Sequence, residues 1–152
     1  MNFKFFFSVI SISLFSCSNQ NTDEIVSLDL ATMEYPQKWE LFKMSVGMLT
    51  GSEVSGDDMN YQEYYIFNVD NTFSKTRIED QTETTVKGIY SIEIKENEQG
   101  FSLVYDQENG LIGNCSLEPT EYLYIGSDHH TLLNSWWACD GPGLFYKKVE
   151  IQ

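Results

Sequence analysis

The chain has 152 residues, the length of one domain, and its 41% hydrophobic and 14% aromatic content supplies enough apolar surface for a core, which excludes a wholly disordered chain. A formal net charge of −14 opposes polyanions and excludes nucleic-acid binding as a main role. Solubility alone accounts for such acidity.

The first element is the amino terminus. Met1-Asn2-Phe3-Lys4 offers one cation, and Phe5 to Phe15 follows without charge. That is the charged-then-apolar layout of an export signal, and the run is shorter than the roughly 20 apolar residues of a membrane-spanning helix. Ser18 to about Leu28 is polar and aperiodic, as expected of a tether.

The remainder predicts short strands separated by turns. Lys38-Trp39-Glu40-Leu41-Phe42 begins the first strand after Pro36. A looser stretch from Gly47 to Met59 precedes Tyr61 to Val69, an aromatic and β-branched run. Asp70-Asn71 is expected to turn the chain into a returning strand, Thr72 to Ile78. Thr84 to Ile94 places Val86, Gly88, Tyr90, Ile92 and Ile94 on one face, and after a turn at Glu96 to Gly100 the next strand aligns Phe101, Leu103 and Tyr105. Asn109-Gly110 is the best hairpin signal and predicts a strand over Leu111 to Leu117. Glu121 to Ile125, Thr131 to Cys139 with Trp136 and Trp137, and Leu144 to Ile151 complete the series. About eight strands at hairpin spacing, with no long helical period, predict an all-β fold, a small up-and-down antiparallel barrel whose closure removes exposed edges.

Two resemblances sharpen this reading. Leu14-Phe15-Ser16-Cys17 resembles a bacterial lipoprotein cleavage box, in which the Cys is acylated and becomes the new amino terminus. It implies a signal peptide over 1–16, a lipid-anchored tether over 17–34 and a domain over 35–152. The protein would be exported and held on the bacterial outer membrane, facing the periplasm or the surface. Acyl chains, at about 0.8 kcal/mol per buried methylene, would hold the domain on the bilayer through Cys17. Lys38-Trp39-Glu40-Leu41, the hairpin Tyr65-Ile66-Phe67-Asn68-Val69-Asp70-Asn71-Thr72-Phe73, Gly88-Ile89-Tyr90 and Ala138-Cys139-Asp140-Gly141-Pro142-Gly143 with Tyr146-Lys147 resemble, in that order, lipocalin-like lipoproteins of Bacteroidota-type bacteria. The resemblance implies a structural Trp39 at the barrel floor. Gln37 stands where the lipocalin opening motif has Gly.

With Cys17 assigned to the anchor, Cys115 and Cys139 remain, and an even pair in an exported domain is expected to be disulfide-bonded rather than left as thiols. Tyr65, Phe67, Phe73, Tyr90 and Tyr105 are the expected inward aromatics and ligand-lining candidates, with Phe101 and Trp137 also placed inward and Gly88 structural. Such a barrel is either filled by side chains or holds one small ligand. The first expectation is a cup for a small hydrophobic or amphipathic molecule. The alternative is a ligand-free envelope interaction or inhibitor module acting through its surface, with exposed aromatics from Trp136-Trp137 as anchor. No catalytic constellation is recognisable: His129 and His130 are the only histidines, no Gly-x-Ser-x-Gly elbow exists, and 23 acids do not single out a pair. No metal or cofactor is expected, and no protein partner is specified.

Overall fold

A computed structural model of the chain describes residues 29–45 and 52–151. The export segment, Cys17, the tether up to residue 28, and Gly47 and Gly51 of the glycine-rich stretch lie outside the described residues.

Among the described residues are nine strands: β1 Gln37–Ser45, β2 Glu53–Ser55, β3 Gln62–Phe67, β4 Thr72–Glu79, β5 Thr82–Lys95, β6 Glu98–Tyr105, β7 Thr120–Ile125, β8 Thr131–Asn134 and β9 Gly143–Val149. From β3 onward each strand pairs antiparallel with the next, and β9 returns to β1, running from Lys38 opposite Val149 to Ser45 opposite Gly143. Eight strands thus close an up-and-down barrel, and the short β2 adds to it beside the end of β1. The expected fold class is what the chain adopts.

Period-two alternation sets the inward rows. In β1, Gln37, Trp39 and Leu41 are buried, and an irregularity between Leu41 and Lys43 shifts the phase so that Met44 is the next buried residue. Tyr65 and Phe67 of β3, Phe73 of β4, Tyr90 of β5, Phe101, Leu103 and Tyr105 of β6, Leu123 of β7, Leu132 of β8 and Leu144 and Tyr146 of β9 continue the core, joined by Leu30 and Met59 from outside the strands. Ile94, expected on the inward face of β5, is exposed, because β4 pairs with β5 only as far as Ile89.

Antiparallel order sorts the connections to two ends. The entry end carries residues 29–36, the turns at 68–71 and 96–97, and the loop 126–130. The far end carries residues 52–61, the turn at 80–81, and the loops 106–119 and 135–142. Residues 29–36 close the entry end: Leu30 is fully buried, its N–H donates to Gln99 Oε1 at 3.0 Å, and Tyr35 stacks on Tyr90 at 6.0 Å. Trp39 is fully buried, and its Nε1 donates to Gln37 Oε1 at 2.9 Å.

The turns and strand ends differ from expectation in five places. Asp80 and Gln81, both at positive φ (48° and 64°), form the two-residue hairpin turn between β4 and β5. The turn at Asp70-Asn71 is wider, held by Asn68 N–H to Thr72 O at 2.9 Å, with Asn71 the left-handed residue at φ 63°. The turn after β5 narrows to Glu96-Asn97, so Glu98 already belongs to β6.

Asn109-Gly110 makes no tight hairpin, and Leu111 to Leu117 is not a strand; both lie in the irregular loop 106–119. Side chains there satisfy the backbone locally. Asn109 Oδ1 accepts from Leu111 N–H at 2.9 Å, and Asn114 Nδ2 donates to the carbonyls of Glu118 and Thr120. Such bonds compete with a ladder. Finally, the strand expected over Thr131 to Cys139 ends at Asn134, whose amide bridges Pro142 O and Leu144 N–H. The chain then coils into a single 3-10 turn, Trp136–Cys139, which leaves Trp137 outside at 49% exposure, not inward.

Gly88 lies beneath Phe73. A Cβ there would stand 2.1 Å from Val104 O and 2.8 Å from Phe73 Cε1, closer than packed atoms tolerate. Gly88→Ala is therefore expected to destabilise the barrel by about 1–3 kcal/mol, as overpacking does, which chemical-denaturation midpoints would register.

Candidate functional site

The interior has an apolar half and a charged half. Toward the entry end, the rings form a continuous column. Phe67 stacks on Phe101 with centroids 4.1 Å apart, and Tyr90 meets Phe67 edge-on at 5.1 Å. Phe73 meets Tyr105 edge-on at 5.0 Å, and Tyr65 meets Tyr146 at 5.1 Å. All five expected lining residues, Tyr65, Phe67, Phe73, Tyr90 and Tyr105, are brought together in this column, each touching other rings.

Toward the far end the column gives way to a buried ionic network. Lys75 of β4 is fully buried, and its Nζ donates to Leu111 O at 2.7 Å and to both Glu121 oxygens at 3.2 Å, with Glu63 Oε1 at 3.4 Å. Glu121 Oε2 also accepts from the Tyr65 hydroxyl at 2.9 Å and from that of Tyr105. Glu63 accepts from Tyr146 at 2.6 Å and from Arg77 Nε at 2.8 Å, and the Arg77 guanidinium lies 3.9 Å from the Tyr61 ring centre. Two cations balance two carboxylates, and each charged group of this network has partners. That is the condition under which charges survive desolvation.

Loop 106–119 covers this end. It supplies the Leu111 carbonyl, and Gly113 packs so tightly that a Cβ would stand 2.9 Å from Glu121 Oε1 and 3.0 Å from the Trp136 ring. The Cys115–Cys139 disulfide ties the loop to the turn after β8, as the cysteine count implied.

Burial raises the ionisation of Tyr65, Tyr105 and Tyr146 well above the ordinary 10.0, and the Glu121 and Glu63 carboxylates push it further. The charged members escaped the sequence reading, although Lys75 shares its inward row with Phe73, and Glu63 its row with Tyr65 and Phe67. That parity was the available signal.

Outside, β7 presents Tyr122 and Tyr124, nearly parallel with centroids 6.4 Å apart. Trp137 Nε1 donates to the Tyr124 hydroxyl at 3.0 Å, and Tyr122 donates to Glu98 Oε1 at 2.9 Å. Tyr124 also lines an open groove of about 440 Å³ at the entry end, between the β5–β6 turn and the loop 126–130. Exposed His129 borders it. Trp136, by contrast, packs beneath Gly141, so the two tryptophans do not form the alternating pair expected. No cluster of three or more metal-ligating side chains occurs among the described residues.

Lys75→Met leaves Glu121 without its cation inside the barrel, and a loss of about 3–5 kcal/mol is expected, with part recovered by adding Glu121→Gln. Double-variant denaturation curves check this. Stability also depends on alkaline pH. In the unfolded chain tyrosine ionises near 10.0, whereas the three buried tyrosines keep their protons to higher pH. The unfolded state therefore loses protons first, so the stability these groups contribute is full below pH 10 and falls as pH rises through and beyond it. Thermal melts from pH 8 to about pH 12 follow the decline. The sequence matches no protein-family model and no curated protein, and the structure matches no solved structure.

Proposed function

We propose that this chain is an exported lipoprotein, anchored to a bacterial outer membrane through acylated Cys17, whose barrel works through its outer surface as an envelope interaction or inhibitor module. The observation that carries the reading is the filled interior. Rings occupy the apolar half in mutual contact, Lys75, Glu63 and Glu121 occupy the other, residues 29–36 close one end and loop 106–119 the other. A hydrophobic molecule in the cup would have to displace the Phe67–Phe101 stack or strip partners from a buried charge, and both carry a large penalty. Toward the solvent, half-exposed Trp137 and the Tyr122–Tyr124 pair are of the residue types that dominate binding surfaces.

Native mass spectrometry of the full chain released from its own cell envelope tests the proposal. The expected mass is the polypeptide cleaved before Cys17 plus its acyl groups alone, and Cys17→Ser is expected to abolish incorporation of labelled palmitate. A small apolar molecule retained in stoichiometric amount would overturn the surface reading in favour of a ligand cup. Palmitate on the Cys17→Ser chain would overturn the anchor.

A further inference from the structure

We infer that the groove beside Tyr124 binds neutral oligosaccharide; this rests on the surface reading above and gives its partner a chemical class. The groove, about 440 Å³, lies within the size range of small-molecule sites. One wall is the ring of Tyr124, locked at its hydroxyl by Trp137 Nε1 at 3.0 Å. The other walls carry Asn97, Glu98, Gln99, Ser127 and His129.

A sugar ring has an apolar C–H face and an edge of neighbouring hydroxyls, each both donor and acceptor. A fixed aromatic ring suits the face, and planar amide, carboxylate and imidazole groups, which donate and accept in one plane, suit the edge. Two further tyrosine contacts hold the platform rigid. Tyr122 is stacked beside Tyr124, and its ring covers Gly100, whose hypothetical Cβ would lie 2.8 Å from the Tyr122 hydroxyl oxygen. A platform held in place this way loses little freedom on binding.

The same features argue against other occupants. A lipid tail lying on Tyr124 and Ile125 would also cover the charged Lys95, Glu96 and Glu98 that share the walls, at a cost in lost hydration. An anionic glycan would meet Glu96 and Glu98 within the groove, where the cation Lys95 is already paired with Glu93 and Glu98, and a chain of net charge −14 around it. A protein interface needs roughly 1,000 Å² or more with an apolar centre, and this site is a small open groove with charged side chains among its walls. The groove also sits at the end where the chain enters the barrel, so a tethered domain would present it beside the envelope surface.

The test uses the full lipidated chain in a detergent without sugar headgroups, applied to a printed panel of neutral hexose oligosaccharides beside hexuronate and sulfated ones. Retention on neutral members is expected. Tyr124→Ala is expected to reduce it at least about tenfold, equivalent to 1.4 kcal/mol, with the melting temperature as the fold control. Should Tyr124→Ala fail to fold, Asn97→Ala and His129→Ala, both in exposed turns, carry the test, with a several-fold loss expected from each. Absence of retention on any neutral glycan, preference for the anionic members, or variants that bind like the parent would each overturn the inference. If the mass spectrum still shows acyl groups alone, the surface reading stands while its glycan partner falls.

Discussion

The contact on which the rest of the structure depends is the one Lys75 makes across the barrel with Glu121, 46 positions away in the chain. Burying an ammonium and a carboxylate costs several kcal/mol each, and mutual attraction offsets that only where the remaining hydrogen-bonding positions are also filled. Here Glu63, the Leu111 carbonyl and two tyrosine hydroxyls fill them. An apolar filling of equal volume would serve stability as well. The ionic filling adds a constraint on register. A slip of one residue in β4 would turn Lys75 outward and leave two carboxylates inside without their cation, while exposing Phe73. The network therefore ties strand register to barrel closure, because its members come from β3, β4, β6, β7 and β9 and meet only when the wall is complete.

Closure at the far end follows from the same contact. Leu111 reaches Lys75 because loop 106–119 folds inward, and the loop is held there by the Cys115–Cys139 link and by Gly113 seated between Glu121 and Trp136. A bonded loop caps this barrel mouth, and charges with partners line it. On the outer wall, Tyr122, Tyr124 and Trp137 form one hydrogen-bonded and stacked group beside the open groove. Inside and outside use aromatic side chains differently: rings pack against rings in the interior, whereas on the exterior Tyr and Trp carry polar handles that bind one another and face water.

The misread segments share a cause. Asn109-Gly110 has the composition of a tight turn, yet Asn109, Asn114 and Ser116 bond to nearby backbone and hold an irregular loop instead. Trp136-Trp137 looked like a continuation of β8, but Asn134 turns its amide to Pro142 and Leu144 and ends the strand. In both cases a short polar side chain competed with the ladder, and local composition does not say which bond wins.

By itself, the sequence determined most of the strands and most of their inward rows. Alternation is a local property, and it placed Tyr65, Phe67, Phe73, Tyr90, Phe101, Leu103 and Tyr105 correctly in the core. It also allowed the pairing of Cys115 with Cys139 by simple count. Only the tertiary structure decided whether the barrel was hollow or filled, and which charges lay inside it. Tyr146 and Glu63 are 83 positions apart, and no periodicity links them. Whether a buried acid is met by a cation depends on strands brought face to face across a closed wall, which is a property of the assembled barrel and not of any stretch of chain.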